Sequence, residues 1–255
     1  ASIYKYRLTD QRYSNTVKLS LLHNWSFLTK TGTKLEFCNL FSQIASNRTV
    51  LREGQEMYIE SDIKQMEYKY QNRLNYITQL KGEHKFDKDE SAKIDWVGGY
   101  AFSDKSDPDL RRFKTNRTIG TDNPFQTTIT PQGESGYISR SYFKLNEHIG
   151  TLTGNYTKEF KKSVLEQIKT GIFAEYKYRN FSPRIFSVKQ SIGFNTQLLS
   201  LSAENLFVDD NFNSTWGILP IEITEKSDAY TAWNALAAGY IAAKLKLAPR
   251  LTLYG

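Results

Sequence analysis

From Met66 to Lys81 the chain alternates with a period of two. Met66, Tyr68, Tyr70, Leu74, Tyr76 and Leu80 share one parity with Asn72 and Thr78, while Glu67, Lys69, Gln71, Arg73, Asn75, Gln79 and Lys81 share the other with Ile77. That repeat belongs to a pleated strand; a helix with 3.6 residues per turn would scatter both sets around its circumference. The segment therefore separates two unlike environments, one apolar and aromatic, the other polar. Val17–Thr29 repeats the pattern, with Val17, Leu19, Leu21, Trp25 and Phe27 against Lys18, Ser20, Asn24 and Ser26. Further extended runs occur at Leu35–Phe41, Ile94–Phe102, Tyr142–Tyr156, Val164–Tyr178, Ala235–Leu247 and Leu251–Gly255, about eight strands in all.

Most of these runs reach roughly 10 to 18 residues, whereas strands of soluble proteins cluster near 5–6 and a tilted membrane strand needs about 9–11. The greasiest stretch, Ala235–Leu247, is interrupted by Lys244 and Lys246, so a membrane-spanning helix is excluded. A closed sheet is the other structure that satisfies its backbone in lipid. Short connections at Lys30–Lys34, Phe86–Ala92, Thr157–Lys162 and Ala248–Arg250 alternate with long polar stretches at roughly 47–65, 104–139 and 182–229, which hold five of the six prolines. The expected fold is all-β: an antiparallel transmembrane β-barrel, here a partial barrel of about eight long strands with short turns at one rim and long loops at the other. A soluble β-sandwich is the alternative, and it would have to explain the strand length. Leu251–Gly255 is too short to cross the hydrocarbon layer, so neighbouring strands are expected outside these residues.

Composition narrows the chemistry. The net charge is +7, but the basic residues are spread over strands and loops and not gathered in a stripe, which argues against a nucleic-acid partner. The single Cys38 supports neither a disulfide framework nor a zinc site. His23, His84 and His148 fall on three different strands or rims, with no nucleophile elbow and no paired-histidine metalloprotease motif, so no catalytic residue, enzyme activity, metal or cofactor is expected. The stretch Asn205–Asn213 has room for a short helix, and its acidic pair matches no calcium loop.

Several segments stand in a distinctive order: Gln79–Phe86 (QLKGEHKF), Lys93–Trp96 (KIDW), Pro108–Arg111 (PDLR), Tyr142–Glu147 (YFKLNE) and Tyr230–Tyr240 (YTAWNALAAGY) running into Leu251–Gly255 (LTLYG). Together they resemble the middle and later barrel strands of TonB-dependent outer-membrane receptors of the Bacteroidetes type, over roughly residues 66–255. The resemblance implies a barrel of about 22 strands around a separate plug, importing a glycan, peptide or metal chelate under TonB drive. It implies location in the cell outer membrane, with outer-membrane lipid, the TonB complex acting through the plug, and a surface lipoprotein lid as partners. Neither the plug nor the TonB-contacting segment is found in this sequence, so residues 1–255 are expected to be a partial barrel domain. A small outer-membrane barrel acting as adhesin or binding module, or a barrel-embedded enzyme, are the competing functions.

A few residues are singled out. Glu147 shares parity with Phe143, Leu145 and Ile149, and a carboxylate facing lipid is disfavoured. Either a bulge between Leu145 and Glu147 turns it inward, or that parity does not face lipid; it then serves as a barrel-to-plug contact or as a rim carboxylate. Asp107, Asp109, Arg111 and Arg112 open the second long loop, where alternating signs fit either a self-paired solvated segment or contact with a polar ligand. Trp216, in the third long loop, is the candidate for stacking on a glycan. Trp25, Tyr100, Phe102, Tyr176, Tyr178, Tyr230 and Trp233 read as membrane-interface anchors. Lys69, Arg73, Lys81, Lys177 and Arg179 read as a positively lined inner wall favouring anionic solutes.

Overall fold

The computed structural model describes residues 5–30, 32–86, 91–161 and 163–255. The expected turns at 30–34, 86–92 and 157–162, and the tyrosine-rich opening stretch, lie partly outside the described residues. The chain forms one antiparallel sheet. Its strands are β1 (Tyr6–Leu28), β2 (Lys34–Glu56), β3 (Ser61–Lys85), β4 (Ala92–Thr118), the two-residue β5 (Gln126–Thr127), β6 (Ile138–Glu159), β7 (Leu165–Gln190), β8 (Ile218–Glu222), β9 (Tyr230–Ala248) and β10 (Leu251–Tyr254). The order across the sheet is β1-β2-β3-β4-β6-β7-β9-β10, with β5 added to β4 and β8 to β7. The sheet is not closed into a barrel: β1 and β10 are its edges. No helix among the described residues is long and apolar enough to cross a membrane.

The register climbs steadily. Lys34, at the foot of β2, aligns through Glu83, Asp95, Asn155 and Gly171 with Tyr240. These partners sit two, three, four, six and finally eight residues above the feet of their strands. A one-way stagger of this kind inclines every strand to the line of the turns, as the wall of a barrel requires.

Strands are longer than the alternation of apolar residues shows. The polar stretch 47–65, expected as a long loop, is instead the ends of β2 and β3 joined by a single 3-10 turn at Met57–Ile59, closed by Glu60 in the left-handed region (φ 48°). β4 likewise continues to Thr118 and β7 to Gln190, so the second and third long connections shrink to 119–137 and 191–229. In these upper segments charged and polar residues stand on both faces and cross-strand ion pairs join them, with apolar side chains such as Phe113 and Val188 packed under the 191–229 connection, which removes the regular pattern that marks a strand in sequence. The prolines sit where no ladder bond is lost. Pro108 lies in a bulge of β4, where residues 108 and 109 pair with neither neighbour, Pro183 in the gap between the β9 and β8 pairings of β7, and Pro220 on β8, which pairs only with β7.

The 191–229 connection is a folded lobe. It contains the 3-10 turn Thr196–Ser200, the one-turn helix α1 (Ala203–Leu206), which overlaps only the start of the stretch 205–213 where a short helix is expected, the 3-10 turn Asp209–Asn211 within that stretch, and β8. Leu198, Leu206 and Ile218 from the lobe bury themselves with Ile129, Ile138 and Val188, against Phe113 and Tyr137. Asn213 organises its end, its Oδ1 accepting from the backbone N–H groups of Thr215, Trp216 and Gly217.

Candidate functional site

Cross-strand pairing sorts the side chains onto two faces. On one, a single row crosses the sheet as Leu21, Phe41, Tyr76, Phe102, His148, Tyr178 and Trp233, each directly opposite the next. Phe102 packs on His148 at 4.9 Å between ring centroids, and the Tyr100 hydroxyl lies 2.7 Å from His148 Nδ1. Beside the row this face carries Val17 and Leu19 on the loop side and Trp25, Phe27, Leu152, Ile172 and Ile241 toward the short turns, and these side chains remain open, with Ile241 77% exposed and, in the row itself, Trp233 70%. Near the short turns Trp96 lies over Gly82, whose missing side chain makes room for the indole, and its Nε1–H donates to His84 Nε2 at 3.1 Å. So much contiguous exposed apolar surface is a surface awaiting an apolar partner.

The opposite face is polar. Lys69, Arg73, Lys81, Lys177 and Arg179 all lie on it, as their parity suggests. Glu147 lies there too, opposite Arg179, whose Nε–H donates to it at 2.6 Å. The register through Leu145, Asn146 and Glu147 is unbroken on both sides, so the suggested bulge there is absent. The Phe143–Leu145–Ile149 parity belongs to the polar face, and in β6 it is His148, Leu152 and Tyr156 that join the apolar one.

The bulge lies in β4. Between Ser106 and Arg111 that strand spends one residue more than β3 does between Asn72 and Tyr68. The extra residue inverts the side-chain alternation. Asp107 and Arg111, of equal parity in sequence, therefore land on opposite faces, and neither lies in the loop where sequence reading places them. Asp107 is buried on the polar face, held by Lys69 Nζ and Gln71 Nε2, both at 2.8 Å. Asp109 binds Arg111 and Arg140 on the other face, with Nε–H···O distances of 2.8 Å to each. Trp216 stands in the 191–229 lobe, half-exposed, its backbone bonded to Asn195 and Asn213. The structure thus does not gather Asp107, Asp109, Arg111 and Trp216 into one site.

What it gathers is a charged basin at the upper, loop end of the polar face. Asp10, Arg12, Arg48, Arg52, Glu67, Arg112 and Lys114 line a cavity of about 350 Å³. Arg52 grips Asp10 with two bonds, at 2.7 and 2.9 Å. Glu67 accepts from Arg48 and Arg112, both at 2.9 Å, and Lys114 pairs with Glu56. Apart from Arg112, sequence reading misses this set: Arg48, Arg52 and Lys114 fall in segments taken for loops, while Asp10, Arg12 and Glu67 lie in segments whose strand partners the sequence does not name. Opposite charges meeting in register, such as Asp10 with Arg52 and Glu67 with Arg112, become visible only once the pairing is known.

Burial opposes ionisation of Glu67, but the bonds from Arg112 and Arg48 outweigh it and hold its carboxyl below the usual range. Asp109 behaves alike, burial again opposed and outweighed by Arg111 and Arg140. Carboxyls depressed in the folded state contribute stability that is present above their unfolded values, about 4, and lost as pH falls through the folded ones. On acidification below about pH 4, amide exchange at the upper ends of β2, β3 and β4 is expected to accelerate before that of the apolar band. Hydrogen exchange followed by mass spectrometry checks this, and uniform acceleration along the strands would count against it.

On a second cavity, of about 580 Å³, the lobe residues Ala203, Glu204 and Phe207 face Phe113, Ile138, Arg140 and Phe186 of the sheet. No known protein family, curated protein or solved structure shows significant similarity to this chain.

Proposed function

We propose that this chain is part of the wall of an outer-membrane β-barrel receptor that imports a solute under TonB drive, through a plug that these residues do not supply. The observation that carries the reading is the two-faced sheet. In β1, β4, β6 and β7 the apolar face runs about nine to eleven residues, from Val17 to Phe27, Ile94 to Phe102, His148 to Tyr156 and Ile168 to Tyr178, which matches the 9–11 residues of a tilted membrane strand. Above it the same face turns polar, as strands rising out of lipid must. The staggered register supports a curved wall, and in lipid the edges β1 and β10 need hydrogen-bond partners, which further strands would supply. The polar face is then the lumen, and Glu147, already engaged by Arg179, remains within reach of a plug only as part of that ion pair.

Cys38 supplies a direct test, because it lies on the polar face between Asn24 and Gln79. In membranes, a water-soluble maleimide is expected to label Cys38 from the aqueous lumen. Leu152→Cys in a Cys38→Ser background is expected to react only with a lipid-partitioning maleimide. Reversed selectivity would overturn the assignment of the faces.

A second reading, a surface adhesin or binding module, is favoured by the folded 191–229 lobe, which packs a buried apolar core against the sheet. Solute uptake that is lost when TonB is deleted supports the receptor; cell or host-surface binding that persists without TonB, with no uptake, supports the adhesin.

A further inference from the structure

The basin on the polar face holds more positive charge than it neutralises. Arg52 is matched by Asp10 and Lys114 by Glu56, each pair one to one. Glu67 alone serves two guanidinium groups, Arg48 and Arg112. Arg12 lines the same cavity with no ion-pair partner among the described residues. Five cations thus face three carboxylates, an excess of two.

The hydrogen bonding is incomplete in the same sense. Arg48 and Arg112 each give an Nη2 donor to Glu67, and the Nε–H of each is buried without an acceptor. A buried donor left unmatched is costly, and each guanidinium has N–H groups beyond the one it gives Glu67, in the planar arrangement that oxyanions take up. Val50 is the one apolar side chain in the lining, so a greasy ligand finds no surface here.

We infer that this basin binds an oxyanionic group carrying about two negative charges, a phosphate or a pair of carboxylates, on the solute that the barrel admits. The inference deepens the receptor reading by naming its substrate class, and rests on that reading for where the solute goes; binding itself needs only the basin. Arg12 and the N–H groups of Arg48 and Arg112 that Glu67 leaves unused hold the oxyanion, while Glu67 keeps the two guanidiniums apart and limits affinity by its own charge.

The test is calorimetric titration of inorganic phosphate, and separately of citrate, into the full natural polypeptide folded in a neutral detergent at low salt. Saturable binding that weakens as salt rises is expected, with phosphate alone binding if the ligand group is a phosphate and both binding if it is any oxyanion. Arg12→Gln, at a residue with no ion pair or hydrogen bond to break among the described residues, is expected to weaken binding about tenfold, the effect of a charge-assisted bond near 1.4 kcal/mol. Glu67→Gln removes the competing charge and is expected to tighten it, a change of sign that a merely structural role would not produce. Absence of binding by the folded protein, or equal affinity in wild type and Arg12→Gln, overturns the inference. If Cys38 labels from lipid while phosphate still binds, the basin stands and the transport reading falls.

Discussion

Leu152→Arg is expected to cost the membrane-inserted protein about 2–4 kcal/mol, whereas Thr151→Arg, one residue earlier, costs less than about 1 kcal/mol. The neighbours decide the difference. Leu152 stands on the apolar face between Gly98 and Ala174, whose small side chains leave it 52% exposed, midway along the apolar run from Tyr156 to His148. A guanidinium there has no partner from the sheet and would have to be dragged into hydrocarbon or snorkel far to reach water. Thr151 points to the polar face and is flanked by Gly99 and Glu175, so an arginine there gains both room and an opposite charge. Denaturant titration of the two variants folded into phospholipid vesicles measures the contrast. Equal costs would mean that the two faces meet the same medium, and the barrel-wall reading would not survive that.

Leu206→Ala is expected to remove about 2–5 kcal/mol from the local stability of the 191–229 lobe, the usual range for emptying a buried leucine site. Leu206 is fully buried, in contact with a cluster that includes Leu198, Ile218, Ile138 and Val188. Its helix α1 has a single turn, too short to hold itself, so packing supplies its stability. The seven long strands contribute Ile138 and Val188 to that cluster, but their ladders are completed by neighbouring strands. Limited proteolysis should therefore cut within 191–229 in the variant while the sheet stays intact, and cavity-facing residues Glu204 and Phe207 should lose their place against Arg140 and Phe113. Unchanged resistance of the lobe would show that its order comes from elsewhere.

How much of this was legible in the residues follows from one rule of geometry. Wherever the two faces of a strand meet different media, the alternation is written into the sequence, and Met66–Lys81 or Val17–Thr29 can be read directly as strands with the correct faces. The antiparallel all-β class, the short turns at one rim, the helix within the third long connection and the common face of Lys69, Arg73, Lys81, Lys177 and Arg179 are legible for the same reason. Where polar and charged residues stand on both faces, as in the upper ends of β2, β3 and β4, the alternation fades and strands read as loops. Register decided the rest. A single inserted residue in β4 sent Asp107 and Arg111 to opposite faces, and β6 turned out to present His148 and Leu152, not Leu145 and Glu147, to the apolar side. Asp10, Arg12, Arg48, Arg52, Glu67, Arg112 and Lys114 come from four strands as far as about a hundred residues apart, and only the pairing of those strands brings their charges together. Side-chain period is a local property that each stretch carries by itself; which charge faces which depends on register, which is set by the whole sheet at once.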